Sequence, residues 1–184
     1  MNEDRKIPKG WENVLLGEFL MTNGGTVNPS KYLEETFDLY SIPAYDSKKP
    51  EVLKGREIGS TKKVVQENDV LISRIVPHIQ RSWVVSASNG RRQIGSGEWI
   101  IFRGTVFVPL FMRYYLLSAD FHKKFMTTIS GVGGSLTRAN PSQVAKFAFP
   151  LPPLSEQQRI IAKIEELFSS LDKGIESLKT AQQQ

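Results

Sequence analysis

Seven side chains rich in hydrogen-bonding groups crowd into the twenty residues from 74 to 93: Arg74, His78, Gln80, Arg81, Arg91, Arg92 and Gln93. Their chemistry suits reading a surface rather than breaking bonds. An arginine fork presents two parallel donors that match the O6 and N7 edge of guanine. A glutamine amide presents the donor and acceptor that match adenine in the major groove. Lysines such as Lys54, Lys62 and Lys63 suit phosphate oxygens, which position a protein on a duplex without reading its sequence. Arg56, Thr137 and Arg138 fall in other loops and can extend the same surface. Any one of these arginines could instead close a surface salt bridge, so the cluster carries the reading more than any member does.

The constellations that catalysis needs do not assemble. An amino-methyltransferase grips its target amine with an Asn/Asp-Pro-Pro-aromatic motif, and neither Asn28-Pro29-Ser30 nor Asn140-Pro141-Ser142 supplies the second proline or the aromatic. Asn140-Pro141 reads instead as the cap and first residue of a short helix. Gly131-Val132-Gly133-Gly134-Ser135 follows a helix rather than a strand, so it reads as a helix stop and close-approach loop rather than a phosphate cradle. Glu67 and Asp69 near Lys62 and Lys63 match no nuclease spacing. His78 and His122 lack metal-ligand spacing, and the chain has no cysteine. His122, beside Lys123 and Lys124, reads as surface, and His78, in a loop between strands, as a candidate for DNA. Trp11, Trp83 and Trp99 lie among apolar neighbours and read as core. No metal or cofactor is expected.

These side chains need a scaffold. Residues 51–154 hold 14 Lys and Arg against 6 Asp and Glu, whereas both flanks are slightly acidic, within a net charge of +5. A concentrated positive field suits a polyanion. Forty percent of the residues are hydrophobic, enough to build a packed core. The β-branched runs at 64–65, 69–75, 82–86 and 99–102 predict short strands, with Arg81, Asn89-Gly90, Arg91 and Arg92 in the loops between them. Residues 109–130 predict a helix opened by Pro109 and closed by Gly131. The run Phe149-Pro150-Leu151-Pro152-Pro153-Leu154 cannot be helix interior and marks a boundary between a recognition unit, residues 1–150, and a tail, residues 151–184. Ser155 with Gln158 forms a capping box. Beyond it Ile161, Ile164, Phe168, Leu171, Ile175 and Leu178 step by 3, 4, 3, 4 and 3 residues, the narrow seam of a coiled coil and a candidate dimerisation face. The fold class is α+β: a mixed α/β domain followed by a long C-terminal coiled-coil helix.

The two ends of the sequence resemble one family. Ile7-Pro8-Lys9-Gly10-Trp11-Glu12 with Leu16-Gly17-Glu18, then Asn23-Gly24-Gly25-Thr26 and Tyr32, are similar to the opening landmarks of target recognition domains in type I restriction–modification specificity subunits. The stretch from Pro150 through Ser155-Glu156-Gln157-Gln158-Arg159-Ile160-Ile161 to Leu171-Asp172-Lys173 resembles the family's junction between recognition domain and spacer helix. One landmark departs: the family commonly continues the glycine–threonine pair with proline, and here Val27 follows Thr26. A whole subunit resembles two recognition domains and two helices in tandem, whereas this sequence resembles half of one.

The resemblance implies helices paired antiparallel, here as a homodimer, and recognition domains that each read half of a split double-stranded DNA target. It also implies methyltransferase (modification) subunits docked on them, a joining restriction subunit, and no catalytic group of the chain's own. The DNA-binding candidates are Lys54, Arg56, Arg74, His78, Gln80, Arg81, Arg91, Arg92, Thr137 and Arg138. With no apolar run approaching the ~20 residues that cross a bilayer and a polar N-terminus, a cytoplasmic protein without a membrane partner is expected. Two alternatives remain open on the residues alone: a small stand-alone methyltransferase or nuclease, and a coiled-coil adaptor without DNA specificity.

Overall fold

The computed structural model of the chain describes residues 7–130 and 137–182. In chain order the elements are β1 (Glu12–Leu15), β2 (Thr26–Val27), β3 (Thr36–Tyr40), β4 (Glu51–Lys54), β5 (Lys62–Val64), β6 (Val70–Ser73), β7 (Ser82–Val84), β8 (Arg92–Gly95), β9 (Trp99–Phe102), α1 (Pro109–Leu116), α2 (Ala119–Met126), β10 (Ile129–Ser130), β11 (Arg138–Ala139), α3 (Pro141–Val144), β12 (Ala148–Leu151) and α4 (Leu154–Ala181).

Two sheets share the centre of the domain. One has the order β7-β6-β9, antiparallel throughout; the other runs β2-β5-β8-β3-β4 with β3 and β8 parallel. All four residues of β6 and of β9 are buried, because that sheet is covered on both faces. Val70, Ile72, Ile100 and Phe102 pack towards α1, α2 and Phe149. The alternate residues Leu71, Trp99 and Ile101 pack with Tyr40, Trp83 and Val85. The period of two along a strand sends successive side chains to opposite faces, and a sheet buried on both faces therefore reads as continuous apolar sequence. A third cluster, Val27, Phe37, Leu39, Ile58 and Ile94, fills the five-stranded sheet's own face. Trp83 and Trp99 are core as expected, and Trp99 donates its indole N–H to the Tyr40 carbonyl at 2.7 Å.

Three local expectations are corrected. Arg92 and Gln93 lie not in a loop but in β8, the middle strand of the five-stranded sheet. The single helix expected over 109–130 is two, because Ser118 caps a new helix by accepting the Phe121 N–H at 3.2 Å. The Gly131 stop and the glycine run to Ser135 lie outside the described residues. The capping box at Ser155 does not form: α4 begins at Leu154, and the Pro153 carbonyl accepts the first-turn N–H groups of Glu156 and Gln157 at 2.8 and 3.0 Å. Asn140 does cap a helix, accepting the Ser142 N–H at 2.9 Å ahead of Pro141.

The proline run is extended but not free. Pro150 and Leu151 belong to β12, which pairs antiparallel with β1. Gln157 then fastens α4 to the domain. It is fully buried; its side-chain oxygen accepts the Val108 N–H at 2.7 Å, and its amide donates to the carbonyls of Pro152 and Val106 at 2.8 and 3.1 Å. Ile161 packs beside it in the domain core. Among the described residues no helix is long and apolar enough to cross a membrane.

Candidate nucleic-acid interface

The loop 74–81 leaves the end of β6 and is braced from two sides. The Arg74 N–H donates to the Glu98 carbonyl at 2.9 Å, and the Arg74 carbonyl accepts the Ala139 N–H at 2.8 Å. Ile75 bridges to Arg138 in β11, and Val76 donates its N–H to Thr137 at 3.2 Å. Val76 has φ of +48°, a left-handed conformation that a β-branched residue adopts only at a cost of about 1–3 kcal/mol. The brace therefore holds a backbone shape the sequence would not choose by itself. On this loop His78 is exposed, while Arg74, Gln80 and Arg81 are half-buried. Nε of Arg74, Nε2 of Gln80 and Nε of Arg81 are buried with no hydrogen-bond acceptor among the described residues. These donors lie beneath the surface, so an incoming partner meets the exposed ends of the three half-buried side chains.

Glu98, in the turn between β8 and β9, is the carboxylate this face shares. Arg138 Nε donates to its two oxygens at 3.0 and 3.2 Å, and Arg74 Nε stands 3.8 Å away. The hydrogen bond to Glu98 raises the Arg138 pKa above its ordinary value. Lys63, from β5, completes the group and donates to the Trp99 carbonyl at 2.7 Å. Burial lowers its pKa, as does the charge of Arg74, against the opposing pull of Glu98. Lys62, beside it, is lowered by burial. Lys63 also borders a cleft of about 520 Å³ lined by residues 20–26, Val64, Ile100, Ile101 and Pro141. The Asn23-Gly24-Gly25-Thr26 landmark thus opens onto the same region, with Gly25 at φ of +83° and its carbonyl accepting the Val64 N–H.

The remaining candidates stand elsewhere. Arg91 donates to Asp38 at 2.6 Å. Arg92 grips Glu35 through two bonds of 2.9 and 2.8 Å and lies over the rings of Tyr32 and Phe37. Lys54 and Arg56 both reach Glu34, at 2.9 and 2.8 Å. Arg92 pairs with Phe37 at the start of the parallel β3–β8 ladder, whereas Gly95, at its other end, leads into the Glu98 turn. Three strand steps of ~3.3 Å separate the two ends by ~10 Å. The loop cluster expected from the sequence is therefore two groups. Arg74, Thr137 and Arg138 are brought together, with His78, Gln80 and Arg81 further along the same loop 74–81; Lys54, Arg56, Arg91 and Arg92 are engaged with acids of the β3 side. Glu98 and Gln157 were not singled out by sequence reasoning. Nothing local ties Glu98 to Arg138, forty residues away.

Asp69 is committed to Arg103, which raises the Arg103 pKa through bonds of 2.6 and 2.7 Å. His122 is half-buried in α2 rather than fully exposed. Among the described residues no three His, Cys, Asp or Glu side chains group as metal ligands.

The seam of α4 divides in two. Ile161 is buried in its own domain and Ile164 is half-buried. Phe168, Leu171, Ile175 and Leu178 are 54, 57, 42 and 68% exposed, and Leu167 on their flank is 57% exposed. Phe168 reaches back to Tyr114, with ring centroids 6.4 Å apart. A groove bounded by Arg113, Tyr114, Leu117, Ile164 and Phe168 runs where the helix leaves the domain.

A family model described as the type I restriction modification DNA specificity domain matches residues 8–182. The Type I restriction enzyme EcoAI specificity subunit of Escherichia coli is 26% identical, the match covering 91% of this chain and 29% of that protein. The HsdS subunit from Thermoanaerobacter tengcongensis superposes with a TM-score of 0.79 at 27% identity, over 93% of this chain and 45% of that one. A chain from structural work on complex assembly and conformational transition of the type I R-M system gives 0.74 at 28% identity, over 91% and 44%. The chain thus spans less than half the length of each of these relatives.

Proposed function

Because the chain belongs to the type I restriction modification DNA specificity domain family over residues 8–182, we propose that it is a non-catalytic module that binds double-stranded DNA by sequence. The observation that carries this reading is the braced loop 74–81. It is held in a strained shape, carries the exposed His78 and the half-buried Arg74, Gln80 and Arg81, and lies beside Lys63 and Arg138. Arg74, His78, Gln80 and Arg81 are the base-reading candidates, and Lys63 the phosphate contact. Lys54, Arg56, Arg91 and Arg92, already engaged with Glu34, Glu35 and Asp38, serve the sheet first and DNA second. Arg74→Ala or Arg81→Ala should lose about 1–3 kcal/mol of discrimination at one base position. Methylation mapping with the cognate modification subunit reads the target, and competition binding measures the loss. Unchanged discrimination in both variants would move the readers off this loop.

The partners proposed are methyltransferase subunits, a restriction subunit and a second copy of the chain. Two copies pair through Phe168, Leu171, Ile175 and Leu178, with Ile164 at the margin and Ile161 kept by its own domain. A two-fold pair of identical readers demands a split palindrome as target. A protein that reads chromosomal DNA in this way works in the cytoplasm.

A further inference from the structure

We infer that Glu98 is a specificity-determining residue of the DNA-facing surface: its carboxylate withholds Arg138 from phosphates and shadows Arg74, so that Arg74 favours a neutral base edge over a phosphate. The inference rests on the proposed role of loop 74–81 in contacting DNA.

Two cations, Arg74 and Arg138, face one acid, while Lys63 nearby is bonded to the Trp99 carbonyl. That acid is fixed rather than adrift. Its carbonyl accepts the Arg74 N–H, its own N–H donates to Ser96 Oγ at 3.2 Å, and the next residue, Trp99, is fully buried. Its side chain is 28% exposed, enough to act on whatever approaches. Were this surface built for affinity alone, a fixed carboxylate among its arginines would oppose it, because it repels every phosphate that comes near. A phosphate gains Arg138 only by displacing an equivalent charge-assisted bond, so little is won on non-specific DNA. A guanine edge differs: it offers two acceptors and no net charge. Arg74, whose Nε is near Glu98 but unbonded to it, can meet such an edge without leaving the carboxylate's field. Glu98 thus discriminates between the two kinds of acceptor that duplex DNA presents.

The test is equilibrium binding of the full chain to a fluorescent random-sequence duplex across a salt series. In Glu98→Gln, non-specific affinity should rise several-fold, and the log–log salt slope should steepen by ~0.9 for each arginine released to a phosphate. Arg138→Gln should leave the slope on random duplex unchanged, because that arginine is withheld from phosphates. A Glu98→Gln variant that binds no better, with an unaltered slope, makes the residue a structural brace and overturns the inference. So does a slope shallower by ~0.9 in Arg138→Gln, a readout that holds even if Glu98→Gln fails to fold. An unmodified chain that shows no salt-dependent duplex binding would instead remove the underlying reading of the loop.

Discussion

At the scale of single residues, what matters is which polar groups are already satisfied. The sequence presents Arg74, Arg81, Arg91 and Arg92 as equivalent, and folding makes them unlike. Arg91 and Arg92 meet Asp38 and Glu35 across the β3–β8 ladder, while Arg74 and Arg81 keep buried donors open. Those pairings span 53 and 57 residues, and no local pattern encodes them. Gln157 was equally hidden. In sequence it belongs to a Gln-Gln pair at a helix start, yet it is buried and bonds three backbone groups from two other segments. Replacing it with leucine would leave the Val108 N–H and two carbonyls without their partner. An unsatisfied buried group costs about 1–3 kcal/mol, so Gln157→Leu should lower stability by at least that amount in urea unfolding. Gln158→Leu, on the exposed neighbour, should change it little. Equal effects would show that the clamp contributes nothing beyond helix propensity.

At the scale of elements, legibility followed periodicity. β6, apolar but for Ser73, and β9, apolar throughout, were legible because their sheet is covered on both faces. β8 reads Arg-Gln-Ile-Gly and shows no period, because its buried glutamine is satisfied by the Ser86 carbonyl and the Tyr40 hydroxyl instead of by apolar packing. The ragged face of the expected helix was the trace of two helices with separate faces. The seam of α4 was legible as period, but the period does not say who covers it. Ile161 belongs to the domain, Ile164 is half-buried, and the seam from Phe168 onward is exposed. A parallel pair would crowd both domains at one end, so the antiparallel arrangement fits the bare half. Mating the seam with its reverse sets Phe168 against Leu171 of the second copy and Ile164 against Ile175, with the two-fold axis between Ser169 and Ser170. Leu167 then lies beside Gly174 of the second copy, where a side chain would find open space. The other flank brings Glu165 near Asp172 of the second copy, twice by symmetry. Asp172→Lys turns both like-charge contacts attractive. At 0.2–1 kcal/mol for each exposed pair, the dimer should tighten by roughly two- to thirty-fold in sedimentation equilibrium, most at low salt. Weaker or unchanged association would reject this register.

At the scale of the whole molecule, the attachment of α4 would turn the proposed dimer contact into a distance. The helix leaves the domain from a β1–β12 pair, a buried Gln157 and a buried Ile161, which fix its axis to the domain that carries the candidate loop. Its 28 residues extend ~42 Å at 1.5 Å per residue. That is a little more than one turn of B-DNA, ~34 Å. In the proposed antiparallel pair the domains would sit at opposite ends and face one duplex with unread base pairs between them, so helix length would set the gap. Inserting seven residues after Ser169, at the two-fold axis, in both copies keeps the seam in phase, since the apolar positions repeat every 3.5 residues. It lengthens the paired region by ~10.5 Å, about three base pairs at ~3.4 Å each. Because three base pairs also rotate one half-site about the duplex axis by nearly a third of a turn, the domains must accommodate twist as well as length, and activity should fall even where binding survives. Methylation mapping of the inserted variant with its modification subunit should return the same half-site sequences at a wider gap. A variant that methylates the original spacing with full activity would show that something other than α4 holds the two readers apart.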